Sequence, residues 1–201
     1  MSKKAVDIVL LPDESITARV IEANAGLIEK YGRKIVLDRK NTLPHISLAM
    51  GCLDKRDIEK AGNILESTAE KYPPGKLRII GTFVSVNSIG EKVSSLVIEK
   101  TKQLQRLHEA IMAELEPVLS PDADEQMIYP SGPVAETTLA WIRNYRDRSS
   151  FENFQPHITL GYGVADILTS PLEFKPSKLA LCHLGNHCTC REVLRSITFQ
   201  D

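Results

Sequence analysis

The chain has 201 residues, 42% of them apolar, which is typical of one soluble globular domain. Its 25 basic and 26 acidic residues nearly cancel, which argues against a protein that holds long nucleic acid through non-specific phosphate contacts. A small or end-bound phosphate ligand fits this charge better. The N-terminal apolar stretch stops at Leu11-Pro12, too early for a signal peptide or a membrane span, so we expect a cytoplasmic protein without membrane contact.

The first half of the chain predicts strands and helices in alternation. Apolar periodicity, helix caps and proline or glycine stops are the signals. They predict a strand at residues 6–11, a helix at 15–31, a strand at 44–48, a helix from 54 to about 72 and a strand at 77–86.

The second half predicts the same order again, with an insertion. Its elements are a strand at 93–98, a helix at 101–119, a proline- and glycine-containing insertion, a helix at 135–146, a strand at 156–160 and a closing hairpin of strands at 179–184 and 192–199. We therefore predict an α+β fold in one domain, residues 1–201, with lobe-forming repeats of about 5–88 and 93–201. The repeats should be related by a pseudo-twofold axis around a central cleft, with antiparallel sheets and the helices outside.

One short motif occurs twice. Pro-His-Ile-Ser-Leu at residues 44–48 recurs as Pro-His-Ile-Thr-Leu at residues 156–160. Proline suits the first position of a strand, and alternate side chains of a strand share a face. The histidine and the hydroxyl residue of each copy are therefore expected to project from the same face.

This pairing favours acid–base chemistry on a phosphate group. His45 and His157 would exchange protons with the reacting oxygens, and Ser47 and Thr159 would hold the phosphoryl oxygens. The alternative is that both histidines are buried structural residues on duplicated strands. The functional interpretation is favoured because two of the five histidines in the chain occupy the same position of this repeated motif.

With these two motifs the chain resembles the two-histidine (2H) phosphoesterase superfamily, which includes 2′-5′ RNA ligase-like proteins and cyclic nucleotide phosphodiesterases. The resemblance implies a bilobal α+β fold and cofactor-free, metal-independent chemistry on 2′,3′-cyclic or related phosphodiesters, with 2′-5′ RNA ligation as a related activity. It implies that His45 and His157 are the acid–base pair and that Ser47 and Thr159 bind phosphate. The expected partner is a nucleotide or RNA-end phosphodiester. No pattern specifies an oligomer or a protein partner, so we expect a monomer.

The chain departs from this family at one point. Many relatives have a basic residue soon after the second motif, where this chain has Gly161-Tyr162-Gly163. We expect Tyr162, farther along the same strand, on the cleft side as a substrate contact. The phosphate would then need another cation, and the candidates, each of which could equally be a solvated surface residue, are Arg39, Lys40, Arg143, Arg146 and Arg148.

Two aromatic residues and one histidine have simpler interpretations. Trp141 and Tyr145 are four residues apart on a predicted helix and could stack on a base, although this spacing more often indicates core packing. His108 is expected to be an exposed helical residue.

A cluster of cysteine and histidine residues raises the question of zinc. It lacks the usual Cys-x₂-Cys spacing, and adjacent residues on a strand point to opposite faces, so we expect no metal site and reduced thiols. The cluster consists of Cys182, His183, His187, Cys188 and Cys190.

Three functions are compatible with the sequence. The favoured one is a metal-independent phosphodiesterase. The second is a non-catalytic module that binds a nucleotide phosphate, which the missing basic residue allows. In the third, the paired motifs are purely structural.

Overall fold

A computed structural model of the chain describes residues 3–166 and 170–199. This part contains four α-helices and nine strands. The helices are Glu14–Tyr31 (α1), Ile58–Lys71 (α2), Lys102–Leu115 (α3) and Glu136–Ser149 (α4). The strands are Lys3–Leu11 (β1), Ile46–Asp54 (β2), Leu77–Val86 (β3), Lys92–Ile98 (β4), Leu119–Ser120 (β5), His157–Tyr162 (β6), Leu172–Phe174 (β7), Lys178–Gly185 (β8) and Thr189–Thr198 (β9).

The strands form two antiparallel sheets. The five-stranded sheet has the order β5-β2-β1-β8-β9, and the four-stranded sheet has the order β6-β4-β3-β7. Each motif strand, β2 or β6, pairs with the first strand of its own half of the chain, β1 or β4. The predicted α+β fold with antiparallel sheets is confirmed. Each sheet also contains strands from both halves of the chain.

The helices pack on the sheets in a crossed pattern. Helix α1 follows β1 of the five-stranded sheet but packs on β6, whereas α3 follows β4 of the four-stranded sheet but packs on β2. Each half of the chain therefore supplies the helix behind the motif strand of the other half. One continuous apolar cluster runs through both sheets and their helices, and its burial is the main stabilising contribution to the fold.

The helix ends follow from local sequence. Asp13 caps α1 by accepting a hydrogen bond from the amide of Ile16, and Thr101 caps α3 in the same way. Helix α3 ends at Leu115, four residues before the predicted end. Pro117 cannot continue a helix, and Leu119 instead pairs with Leu53 of β2.

The closing hairpin, β8 and β9, carries a disulfide bond between Cys182 and Cys190, whose Cα atoms are 5.6 Å apart. The prediction of reduced thiols is wrong for this pair. The reason is that the hairpin brings the two side chains together in a small apolar cluster with Val9 and Ala180. Cys52 and Cys188 are free thiols. Within the described ranges, no helix is both long and apolar enough to cross a membrane.

Candidate active site

Each motif strand contains a β-bulge directly after its hydroxyl residue. In the first, Val9 pairs with Ser47 and Ile8 pairs with Ala49, so Leu48 has no partner in the register. In the second, Ser95 pairs with Thr159 and Ser94 pairs with Gly161, so Leu160 is skipped in the same way. Bulges bend a strand and redirect its side chains. The duplication therefore extends beyond the sequence motif to the backbone irregularity beside it.

A buried polar side chain binds the carbonyl group of each bulged leucine. His108 of α3 donates from Nδ1 to the carbonyl oxygen of Leu48 at 2.6 Å, and Asn24 of α1 donates from Nδ2 to that of Leu160 at 2.7 Å. Both residues are buried. Because a bulge removes a residue from the strand ladder, these hydrogen bonds replace the one that the ladder no longer provides.

The prediction that His108 is exposed is therefore wrong. Its Nε2 accepts a hydrogen bond from the amide of Phe151, and its ring stacks on Phe154 with centroids 4.0 Å apart. The ring must be neutral to accept this bond, and burial lowers the pKa of His108 to about 4.

The backbone fixes the two motif histidines in the same way. His45 Nδ1 lies 2.7 Å from the carbonyl oxygen of Leu43, and His157 Nδ1 lies 2.8 Å from that of Gln155. A carbonyl oxygen only accepts hydrogen bonds, so Nδ1 carries the proton in both rings. Nε2 is then the nitrogen of each ring that can exchange a proton with a ligand.

The two imidazoles interact electrostatically although their motif strands, β2 and β6, belong to different sheets. Strands β2 and β6 approach each other, and His157 is near enough for its charge to affect His45. Burial lowers the pKa of His45, the hydrogen bond to Leu43 opposes this effect, and repulsion from His157 lowers the pKa further. The side chain of His45 is 14% exposed, so the ring remains accessible to solvent.

Ser47 is hydrogen-bonded to a residue that sequence reasoning missed. Its Oγ lies 2.6 Å from Oδ2 of Asp7, and the same carboxyl oxygen is 3.7 Å from His45 Nε2. Asp7 is fully buried, and burial raises its pKa well above the usual range, although the bond to Ser47 opposes this. The available signal was a single acidic residue in the otherwise apolar strand Ala-Val-Asp-Ile-Val-Leu at residues 5–10.

Thr159 and Tyr162 lie on the same face of β6. Strand alternation alone would put residues three apart on opposite faces, but the bulge at Leu160 restores the common face, because Tyr162 pairs with Val93 two residues from Ser95. Thr159 is half-buried. The Tyr162 hydroxyl lies 3.1 Å from Nδ1 of His187, which belongs to the turn between β8 and β9.

Three of the five basic residues that were considered as phosphate-binding groups form ion pairs with acidic side chains. Arg39 pairs with Glu14, Arg143 with Glu136 and Arg146 with Glu116. Lys40 and Arg148 are exposed. The basic side chain found beside a predicted site residue is Lys34, whose Nζ lies 4.9 Å from the centre of the Tyr162 ring and also pairs with Glu91.

The two aromatic candidates on α4 differ in burial. Tyr145 of α4 is buried and close enough to Asp7 for its pKa, raised mainly by burial, to respond to that carboxyl group, whereas Trp141 is 49% exposed. In the part of the chain that the structure describes, no group of three or more acidic, cysteine or histidine side chains could hold a metal ion.

Two pockets of about 400 Å³ lie near the site without containing either motif histidine. One is apolar and lies between α1 and the four-stranded sheet, behind Leu160. The other is polar and borders the site through Thr42 and His187. We take the two motif histidines as the candidate site because their rings can exchange protons, a property that the shape of a cavity alone does not indicate.

Comparisons with known proteins identify the family of the chain. Residues 12–175 match the model of the 2′-5′ RNA ligase superfamily. The chain therefore belongs to this superfamily, a family of 2H phosphoesterases. The comparison with curated proteins found no significant match.

Solved structures show the same fold. TT0787 of Thermus thermophilus is 18% identical, with a TM-score of 0.65 over 96% of this chain and 97% of its own. LigT of E. coli in its apo form is 15% identical, with a TM-score of 0.56 and full coverage of both chains. LigT complexed with 3′-AMP is 12% identical, with a TM-score of 0.52, again over both full chains.

Proposed function

We propose that this protein is a metal-independent phosphodiesterase that acts on 2′,3′-cyclic or related RNA and nucleotide phosphodiesters. The observation that carries the proposal is that the backbone holds the two motif histidines in the same tautomer, with the proton on Nδ1. Each ring is fixed through Nδ1 to a carbonyl group two residues earlier, which leaves Nε2 available. Two such rings close together can give and take protons on one phosphate group.

The environment of His45 supports a division of roles between the two histidines. Burial and the nearby His157 lower the pKa of His45, so its ring is neutral at neutral pH and can accept a proton through Nε2. In hydrolysis of a 2′,3′-cyclic phosphate, His45 takes the proton of the attacking water. His157 then acts as the acid and protonates the ribose oxygen that leaves.

Ser47 and Thr159 hold the non-bridging oxygens of the phosphate. Hydroxyl donors at these positions stabilise the negative charge that develops as water adds, and losing one such donor costs about 3 kcal/mol in comparable sites. If the 5′-hydroxyl of a second RNA end takes the place of water, His45 would accept its proton, the oxygen would attack the cyclic phosphate, and His157 would protonate the departing 3′ oxygen, which would join the ends through a 2′-5′ bond.

The substrate class has support beyond the histidines. LigT, which shares the fold, has been crystallised with 3′-AMP, a nucleotide with a phosphate on the ribose. In this protein both histidines belong to one chain, so a monomer contains the complete pair. We propose that this monomer works in the cytoplasm on nucleotides or RNA ends, with no cofactor.

The direct test is turnover of 2′,3′-cyclic nucleotides by the pure protein in excess chelator, followed by phosphorus NMR. The variants are His45→Gln and His157→Gln. His183→Gln is the matched control, because His183 bonds to Lys4 and Met127 instead of a motif residue. Loss of either motif ring should reduce turnover about a hundredfold to ten-thousandfold, the usual contribution of a positioned acid or base.

The outcomes separate the possible functions. Turnover that survives the chelator, disappears in both motif variants and persists in the control supports the proposal. Loss of turnover on chelation would falsify the metal-independent mechanism. Nucleotide binding without turnover would instead favour the non-catalytic binding module.

A further inference from the structure

The two halves of the site are not equivalent at one position. The bulges fall at the same place in the two motif strands, so Ser47 corresponds to Thr159. Asp7 lies two residues before Val9, the partner of Ser47, and therefore occupies the position that Val93 has in the other half of the site. Asp7 has a carboxyl group where Val93 has an aliphatic side chain. The five-stranded half of the site therefore contains an acidic group that the other half lacks.

The surroundings of Asp7 disfavour a negative charge. The residue has no exposed surface, and its Oδ1 is buried without a hydrogen-bond partner. Oδ2 has one hydrogen-bond partner, the hydroxyl of Ser47, and lies 3.7 Å from Nε2 of His45, whose pKa is lowered by burial. A buried carboxylate with a single neutral donor is poorly compensated, whereas a neutral carboxylic acid tolerates this environment.

The titratable groups that face Asp7 come from three elements. His45 precedes β2, Tyr145 lies on α4, and Cys188 lies in the turn between β8 and β9. Burial raises the pKa of both the Tyr145 hydroxyl and the Cys188 thiol, so neither carries a charge near neutral pH. The neighbour of Asp7 on β8, Cys182, is held in the disulfide bond. No cation among these groups compensates an ionised Asp7 when His45 is neutral.

The protonation state of Asp7 decides what Ser47 can do. Ser47 has one hydroxyl proton. If Asp7 is ionised, Ser47 must give this proton to the carboxylate and offers a phosphate only lone pairs beside a negative charge. If Asp7 is neutral, its own O–H can donate to Ser47 Oγ at the same 2.6 Å, and the Ser47 proton is free for a phosphoryl oxygen.

We propose that Asp7 is a positioning residue that works as a neutral carboxylic acid, donating to Ser47 so that Ser47 donates to the phosphate. This inference rests on the proposed function and deepens it, because it states how one of the two phosphate-binding hydroxyls is oriented. A donor that itself receives a hydrogen bond is polarised and binds an anion more strongly. Thr159 has no such support from Val93.

The test compares Asp7→Asn with Asp7→Leu. The asparagine amide keeps a donor for Ser47 without any charge, whereas leucine removes the donor and keeps a side chain of similar size. We expect kcat on 2′,3′-cyclic nucleotides to fall about tenfold in Asp7→Leu, which corresponds to losing one hydrogen bond to a charged group. Asp7→Asn should recover most of this loss and keep the wild-type pH profile.

Double variants identify the path of the effect. In a Ser47→Ala background, Asp7→Leu should cause little further loss, because the hydroxyl that it orients is gone. In a Thr159→Ala background, the loss should remain about tenfold. A merely structural role for Asp7 predicts equal further losses in both backgrounds and would overturn the inference.

A second readout does not require turnover. Binding of inorganic phosphate, followed by phosphorus NMR, should weaken about tenfold in Asp7→Leu and remain close to wild type in Asp7→Asn. The side-chain carbon-13 signal of Asp7, assigned by its absence in Asp7→Asn, should titrate well above the usual carboxyl range.

These results keep the two proposals apart. If the wild type turns over no substrate, but phosphate binding is weakened in Asp7→Leu and kept in Asp7→Asn, the phosphodiesterase proposal is refuted and the inference is retained. A protein that hydrolyses cyclic phosphates equally well in all Asp7 variants refutes the inference alone. If Asp7→Asn is as damaging as Asp7→Leu, the carboxyl group works in its ionised form, and the inference is wrong.

Discussion

Replacing His108 by glutamine should remove much of the protein's sensitivity to mild acid. A free histidine takes up a proton near pH 6.5, whereas burial lowers the pKa of His108 to about 4. Between these values the unfolded chain binds a proton that the folded protein does not, so the free energy of unfolding falls as the pH falls from 6.5 to 4. At about 1.4 kcal/mol per pKa unit, this difference amounts to about 3 kcal/mol. Below pH 4 the folded ring is protonated too, and the loss stops growing.

The assay is urea unfolding of wild type and His108→Gln at several pH values between about 7 and 4. Glutamine retains a donor for the Leu48 carbonyl and an acceptor for the Phe151 amide but cannot be protonated in this range. Asn24→Ala is the control, because it breaks the equivalent hydrogen bond to Leu160 and involves no titratable group. The control should lower the unfolding free energy equally at every pH. Parallel pH curves for wild type and His108→Gln would refute the buried neutral histidine.

Three further outcomes follow from the same geometry. Asn24→Ala should lower the unfolding free energy by about 3 kcal/mol in chemical denaturation, because it leaves buried groups of Ile35, Leu37 and Leu160 without partners; a loss below about 0.5 kcal/mol would contradict this role. The acid limb of the kcat/KM profile should have a midpoint below the usual histidine value, because activity rises as His45 loses its proton and burial lowers its pKa; a midpoint above 6.5 would contradict its role as base. Tyr162→Phe, which removes the hydroxyl next to His187 but keeps the ring, should raise KM for a cyclic nucleotide more than it lowers kcat, and a selective loss of kcat in steady-state kinetics would place the hydroxyl in the chemical step instead.

The order of strands and helices was predictable because each element shows its own periodicity. The strand at Leu77–Val86 has the predicted limits, and α1 begins one residue before its predicted start. The pairing of the strands into sheets was harder to predict from the sequence. Nothing local in the sequence shows that β1 pairs with β8 or that β4 pairs with β6, because these pairings depend on long-range packing.

The motif histidines could be chosen as candidates from the sequence because the motif is duplicated. The residues behind them could not be chosen in this way. The roles of His108 and Asn24 can be recognised only once the bulges at Leu48 and Leu160 are known, because each side chain donates a hydrogen bond to the carbonyl group of a bulged leucine. Asp7 could have been noticed as an acidic residue inside an apolar strand, but its contact with Ser47 requires the register of β1 against β2.

The central claim is that His45 and His157 act on one phosphate group, and nitrogen-15 NMR of the histidine rings tests it most directly. Inorganic phosphate should be titrated into the protein at constant pH while the Nε2 signals of both rings are followed. We predict that the two Nε2 signals shift together along one binding curve, with smaller shifts at Nδ1, which remains bonded to the backbone. Shifts in only one ring, or two curves with different dissociation constants, would show that the histidines do not share a ligand.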